Sequence, residues 1–169
     1  MVMNMERKEQ VLNDISEATK PISAKSLATK YGVSRQIIVG DVALLRAAGY
    51  NIMATPRGYI LDDEGGLRKK IAVKHDRNAI EEELNIIVDQ GGRIEDVIVE
   101  HPVYGEIKGN LHISSRYDVK KFMEKLDSSH AAPLSELTDG IHLHTIVYED
   151  QDMIERIERE LERAGYLYS

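Results

Sequence analysis

The chain has 169 residues, of which 42% are hydrophobic, so it can bury the core of one domain or of two small ones. It contains no Cys, which excludes disulfides and thiolate metal sites and leaves His and carboxylates to hold any metal. No apolar run approaches the roughly 18 residues of a membrane span, and the start lacks the apolar stretch of a signal peptide. We therefore expect a cytoplasmic protein with no membrane partner.

The net charge of −7 is distributed unevenly along the chain. Residues 1–61 contain eight Lys and Arg against five Asp and Glu, whereas the rest of the chain contains 14 against 24. Within residues 18–61, Asp41 is the only acid beside six basic residues. This asymmetry predicts a basic, DNA-facing domain at 1–61 and an acidic domain at 68–169, joined by a Gly-containing linker at 62–67.

The first predicted elements, in chain order, are three helices and a hairpin. Helical spacing of apolar residues predicts a helix over residues 5–18. Ser23 is expected to cap a second, short helix that stops at Gly32, and Ser34 to cap a longer third helix. Two short β-prone runs around residues 56–58 then predict a hairpin. The order is that of a helix-turn-helix followed by a wing.

The third helix carries the sequence VSRQIIVGDVALLR, residues 33–46. It resembles the recognition-helix pattern VSRQxIVxDIxxLR of winged helix-turn-helix bacterial repressors. The resemblance implies that Ser34, Arg35 and Gln36 enter the major groove of double-stranded operator DNA. Those repressors often carry a longer side chain where this chain has Gly40. Because a glycine within a helix costs about 1 kcal/mol relative to Ala, Gly40 either permits close approach to DNA or removes a base contact.

Basic side chains supply the other predicted DNA contacts. Arg35 can pair with guanine O6 and N7 or with a phosphate, and Gln36 can read adenine. Lys25 and Lys30 on the second helix are expected to contact phosphates, and Arg57 at the wing tip a phosphate or the minor groove. The alternative is a protein-interaction module in which the arginines are merely solvated. The capped helix, the hairpin and the charge split together favour DNA binding.

Residues 68–169 alternate between strand and helix patterns in the order β-α-β-β-α-β, with one extra helix at the end. This is the order of the ferredoxin-like split unit. We therefore predict an α/β (α+β) chain, an N-terminal winged helix-turn-helix followed by a ferredoxin-like domain. The predicted elements are strands at 69–75, 93–101, 104–114 and 140–149 and helices at 78–90, 115–126 and 152–165.

Four side chains in this domain suggest a metal site. His142 and His144 are two residues apart in the last predicted strand, so their side chains emerge on one face. If that strand lies antiparallel to the first, His75 comes to lie beside them. Glu83 falls within the apolar arc of its helix, where a carboxylate needs a partner. Three imidazoles and one carboxylate suit Zn, Ni, Co or Fe(II). The alternative is surface histidines, with Glu83 paired to Arg or Lys.

The stretches KHDRNAIEEEL, VIVEHPVYGEIKGNLHISSRYDV and GIHLHTIVYED resemble the three-histidine (3H) domain. Joined to a winged helix, this domain resembles the niacin-responsive transcription repressors of bacteria. The resemblance covers nearly the whole chain. It implies a transition metal, Ni or Zn, bound through His75, Glu83, His142 and His144. It also implies nicotinic acid as co-repressor of genes for niacin uptake or NAD synthesis.

The resemblance does not identify the residues that contact the effector. Tyr104 can stack on the pyridine ring or hydrogen-bond to it, and Arg116 can pair with the carboxylate. Simpler interpretations are favoured for both residues: Tyr104 as a turn aromatic that closes the core, and Arg116 as a solvated residue in the first turn of its helix.

Two other functions are open at this point. One is a repressor that senses the metal without an organic effector. The other is a hydrolase in which three His and one acid activate water. The sequence shows no motif for a nucleophile or an oxyanion hole, so we expect no enzymatic activity. Since one recognition helix reads only a few base pairs, we expect a homodimer on a palindromic operator, with the exposed sheet face as dimer surface.

Overall fold

The computed structural model describes residues 2–62 and 66–169. The chain divides between residues 64 and 65 into two compact units, and each is described by itself. Half of the predicted linker at 62–67, residues 63–65, lies outside the described residues, and the last linker residue, Leu67, begins the first strand of the second unit. Within the described ranges, no helix combines the length and apolar character that a membrane crossing requires.

The first unit is a winged helix-turn-helix, as predicted. Ser23 caps the second helix by accepting a hydrogen bond from the Ser26 amide, and Gly32 ends that helix with φ 65°. Ser34 caps the third helix by accepting from the Ile37 amide. The elements are α1 (Val2–Glu17), α2 (Ala24–Tyr31), α3 (Arg35–Ala47), β1 (Ile52–Thr55) and β2 (Gly58–Leu61).

The wing is fixed to the helices through the backbone. Ile22 and Tyr59 exchange two backbone hydrogen bonds of 3.0 and 2.8 Å. Gly58 allows this approach, because a Cβ at that position would overlap the backbone of Ile22. The aliphatic core of the unit consists of Val11, Ile15, Ala24, Leu27, Ala28, Ile38, Val42, Leu45 and Ile52.

The second unit is a four-stranded antiparallel sheet whose helices share one core with one sheet face. That core includes Ile71 and Ile146 from the sheet and Leu84, Ile87 and Ile157 from the helices. The elements are β3 (Leu67–Lys74), α4 (Ile80–Asp89), β4 (Arg93–His101), β5 (Gly105–Ile113), α5 (Arg116–Ser129), β6 (Ile141–Tyr148) and α6 (Gln151–Arg163).

The sheet order is β3-β6-β4-β5, and every neighbouring pair is antiparallel. This confirms the predicted β-α-β-β-α-β succession and the predicted antiparallel pairing of the first and last strands of the unit. The strand order nevertheless differs from that of the ferredoxin-like sheet, because here the second and fourth strands of the unit are interior and the first and third lie at the edges. A short 3₁₀ segment, Leu134–Thr138, precedes β6 and was not predicted.

Candidate functional site

Three histidines and one glutamate meet at one end of the second unit. His142 and His144 lie on β6 opposite Val73 and Ile71 of β3, and His75 directly follows β3. The backbone amide of His75 donates a 3.3 Å hydrogen bond to Gly140. Gly140 has φ +89°, and a Cβ there would overlap the backbone of His75. A glycine at position 140 therefore permits the close approach that brings His75 beside His142.

Glu83 of α4 is the centre of this cluster, and its side chain is only 1% exposed. One carboxylate oxygen, Oε2, contacts His75 Nε2. The other, Oε1, lies 2.8 Å from His144 Nε2 and 3.5 Å from His142 Nε2. The structure thus brings together the four residues that the sequence singled out. Burial of His142 and His144 also excludes the alternative of ordinary surface histidines.

The outer nitrogen of each ring faces a backbone carbonyl. Nδ1 lies 2.8 Å from Asp76 O in His75, 2.9 Å from Gly140 O in His142 and 2.7 Å from Asp96 O in His144. A carbonyl can only accept, so each Nδ1 carries the proton in the neutral ring and each Nε2 presents a lone pair. Such a carbonyl contact is the usual support of a metal-binding imidazole.

Three inward lone pairs beside a carboxylate leave polar atoms unsatisfied. Within the described residues, Glu83 Oε1 and His144 Nε2 are buried and neither makes an aligned hydrogen bond, despite the 2.8 Å between them. Ligand atoms of His75, Glu83 and His142 all lie within 4.8 Å of one another. A cation among these atoms would satisfy all of them, since burying unpaired polar groups is costly. The donor set of three imidazoles and one carboxylate fits a borderline divalent metal.

The charges in the cluster shift the protonation of its members. Burial lowers the pKa of His75 and His144, but the contact with Glu83 outweighs it and raises both above the ordinary value. Burial alone would raise the pKa of Glu83, whereas the three surrounding imidazoles lower it well below its usual range. Glu83 is therefore an anion that favours positive charge at the ring nitrogens, whether that charge is a proton or a metal ion.

Tyr166 is a neighbour of the cluster that the sequence did not reveal. Its ring lies 5.3 Å from that of His75, and its hydroxyl donates a 2.7 Å hydrogen bond to Glu82. That hydrogen bond and burial raise the pKa of Tyr166 to about 12. No local pattern points to this residue, because it follows α6 and reaches β3 through the backbone: its carbonyl accepts a 2.9 Å hydrogen bond from the Lys74 amide, beside the pairing of Leu167 with Val73.

Two cavities in the described part of the chain include a histidine of the cluster in their lining. One of about 690 Å³ contains His75 in its lining together with Lys74 and Arg77. The other, of about 630 Å³, contains His142 and Tyr104 in its lining. Tyr104 is 75% exposed, so it does not close the core.

Arg116 is placed differently. It pairs with Asp89 through two hydrogen bonds of 2.8 and 2.6 Å. Its side chain is 67% exposed and belongs to the lining of neither cavity. The structure therefore does not bring it to the histidine cluster, and the simpler interpretation of an exposed first-turn residue describes it.

The predicted DNA-contacting residues lie at the surface of the first unit. Arg35 and Gln36 are exposed in the first turn of α3, directly after Ser34. Lys25 is exposed on α2, whereas Lys30 forms a 2.8 Å ion pair with Asp14 of α1. Arg57 occupies the turn between β1 and β2, where its amide donates to Thr55 Oγ1.

Comparison with known proteins agrees with both units. The sequence model of a helix-turn-helix (HTH) domain matches residues 7–60, and that of the 3H domain matches residues 68–169. The chain is 46% identical over 166 residues to the "Probable transcription repressor NiaR" of Thermotoga maritima, covering 98% of this chain and 95% of that protein. The chain belongs to the NiaR/NadR family of transcription repressors.

A second relative of the family is the "Transcription repressor NadR" of Bacillus subtilis, 40% identical over 171 residues and covering 98% of this chain and 95% of that protein. The NiaR/NadR family explains why a helix-turn-helix precedes a 3H domain here, and it confirms the resemblance found in the sequence. The relatives are named as repressors, so the chain is a DNA-binding regulator and the hydrolase alternative is set aside. The His–Glu cluster in the 3H domain is compatible with a metal ion.

Proposed function

We propose that this chain is a metal-containing repressor that nicotinic acid activates as co-repressor, and that it controls genes for niacin uptake or NAD synthesis. The observation that carries the proposal is the convergence of three His Nε2 atoms on the buried carboxylate of Glu83. The family to which the chain belongs supports the regulatory role. The names of its relatives do not state an effector, so nicotinic acid rests on the resemblance to niacin-responsive repressors.

The metal would be held by His75, Glu83, His142 and His144, and Ni or Zn fits this donor set. When bound, such an ion supplies a Lewis-acidic centre for a carboxylate or a pyridine nitrogen. The protein itself contributes neutral imidazoles, fixed by their Nδ1 contacts with backbone carbonyls. Glu83 contributes the charge that offsets the metal within a buried site.

Nicotinate suits a position beside this cluster because it is an aromatic anion of small size. The cavity that contains His142 is also lined by Tyr104 and by the apolar residues Ile98, Ile141 and Leu143. This lining supports Tyr104 as the ring contact. Glu100 and Glu106 line the same cavity and would repel a free carboxylate. A metal beside His142 would offset that repulsion, which is why effector and metal are proposed to act together. Arg116 is not part of this proposed site.

Repression further requires that the winged helix-turn-helix units of two copies bind one operator. We propose a homodimer in which Arg35 and Gln36 of each copy read base edges and Lys25 and Arg57 contact the backbone, as for other helix-turn-helix dimers. The sheet face opposite the helices, with the half-buried residues Ala72, Leu143 and Thr145, is the proposed dimer surface. Lys30 is a weaker candidate for a phosphate contact, because Asp14 already neutralises it.

The test is thermodynamic coupling between effector and DNA. An operator duplex is first recovered by selecting binders of the full chain from a random-sequence pool. Nicotinate is then titrated calorimetrically into the metal-loaded protein, with and without that duplex. Typical coupling of about 1–3 kcal/mol predicts that nicotinate and operator tighten each other's binding by the same factor, roughly five- to 150-fold. Equal nicotinate affinities in the two titrations would exclude a co-repressor.

Gel retardation with metal alone, nicotinate alone and both together separates the proposal from a metal sensor. Enhancement by the metal alone, with no further effect of nicotinate, would favour the sensor. Glu83→Ala should abolish the enhancement and leave basal DNA binding intact. Glu81→Ala, an exposed acid on the same helix, is the matched control and should keep it.

A further inference from the structure

The first turn of α3 exposes an apolar side chain that the fold does not use. Ile37 is 43% exposed, whereas its neighbour Ile38 is fully buried in the core of the first unit. Ile37 belongs neither to that core nor to the half-buried residues packed against it. It directly follows Arg35 and Gln36, so it lies in the turn that a helix-turn-helix presents to base edges.

After Gln36, one exposed ridge of α3 consists of small residues. Gly40, Ala43 and Ala47 are all exposed and follow Gln36 at helical spacing. A Cβ at Gly40 would meet nothing within 4 Å. An α-helix with side chains is about 10–12 Å across, close to the roughly 12 Å width of the major groove. Because these side chains are short, α3 can enter the major groove deeply. A neighbouring side chain such as Ile37 can then reach the base edges.

The positive charge around Ile37 favours DNA, a polyanion, over a protein as the binding partner of this surface. In residues 18–61, all of which the structure describes, the single acid is Asp41. Asp41 is 5% exposed and is paired with Arg7 at 2.7 Å, so it does not present a carboxylate to a partner. The charges left at the surface of α3 are those of Arg35 and Arg46.

We propose, resting on the homodimer of the proposed function, that Ile37 reads the C5-methyl group of a thymine in each half-site of the operator. Thymine is the one base that presents a methyl group in the major groove, and apolar side chains recognise it by contact. Ile37 thereby adds discrimination of T·A from C·G to the hydrogen bonds of its polar neighbours. Burial of one methyl group contributes about 0.8 kcal/mol, which corresponds to roughly fourfold in affinity.

Deoxyuridine tests this contact, because it differs from thymidine only by that methyl group. Duplexes are recovered from a random-sequence pool with the full chain, and each thymine in the half-site is then replaced singly by deoxyuridine. Dissociation constants are measured by fluorescence anisotropy over a series of salt concentrations. We expect about a fourfold loss at one thymine per half-site, with an unchanged salt slope because no phosphate contact is altered.

Two variants assign the loss to a residue. Ile37→Ala should bind the thymine and deoxyuridine duplexes equally. Leu44→Ala is the matched control: Leu44 is 56% exposed on the same side of α3, two turns further on, and its variant should keep the fourfold difference. The proposal is overturned if wild-type protein binds both duplexes equally, if the selected half-sites share no thymine, or if Ile37→Ala retains the difference. Undiminished affinity of Ile37→Ala for the thymine duplex would likewise overturn it.

Discussion

Replacing Gly40 by Ala should stabilise the first unit and weaken its binding to DNA. Gly40 lies within α3, a Cβ added there would meet no atom within 4 Å, and its φ is not positive. Nothing in the fold therefore opposes a methyl group there. The helix-propensity difference between Gly and Ala then favours the variant by about 1 kcal/mol. For a unit of this size that corresponds to a rise of about 4–8 °C in the melting temperature.

Differential scanning calorimetry of the full chain measures this effect, with the transition of the second unit as internal reference. Gly49→Ala is the matched control. A Cβ added at Gly49 would also meet no atom within 4 Å, but the φ of +106° there is strained for any other residue. This variant should therefore melt at a lower temperature. An unchanged or lowered melting temperature for Gly40→Ala would refute the reasoning from helix propensity.

Gly40→Ala should weaken DNA binding if the ridge of small residues on α3 packs against the base edges in the major groove. An inserted methyl group in a close-packed contact costs about 1–3 kcal/mol, which corresponds to at least about fivefold in affinity. A variant that is more stable and yet binds operator more weakly separates function from folding. Undiminished operator affinity would show that the ridge does not approach the bases closely.

Three further results are expected. His142→Ala combined with His144→Ala should abolish metal binding at the proposed site and leave the aliphatic core folded; undiminished metal content by elemental analysis would exclude these ligands. Because Glu83 raises the pKa of His75 and His144, protons should compete with the metal from a pH above the ordinary His range, so metal is lost as pH falls; a metal content constant down to pH 5 would contradict this. Arg35→Ala should relax preference at one base pair by about 1–3 kcal/mol, whereas Lys25→Ala should weaken all sequences alike and reduce the salt slope, as binding to operator and random duplexes would show.

Much of the first unit could be predicted because its signals are local. The caps at Ser23 and Ser34 and the stop at Gly32 are set by neighbours within four residues. The same holds for Glu83, whose place in the apolar arc of α4 follows from helical spacing and is matched by its burial.

The remaining features depend on contacts between residues far apart in sequence. The alternation of side chains along a strand places His142 and His144 on the same face of the sheet. It does not reveal that helices cover this face. The supporting carbonyl of Asp96 and the ring of Tyr166 reach the cluster through strand pairing. The interior position of β6 has no local signal, since hydrophobic alternation is the same in interior and edge strands that have one covered face.

The pairing of β3 has a consequence for the order in which the chain can fold during synthesis. Among the described residues, β3 pairs along one edge with β6 and along the other with the segment around Leu167. Both partners come late in the chain, so β3 emerges from the ribosome long before it can form a ladder. Pairing of strands this far apart in sequence requires long loops to close, and such closure slows folding. His142 and His144 belong to the same late strand. The proposed metal site can therefore be completed only after β6 has been synthesised.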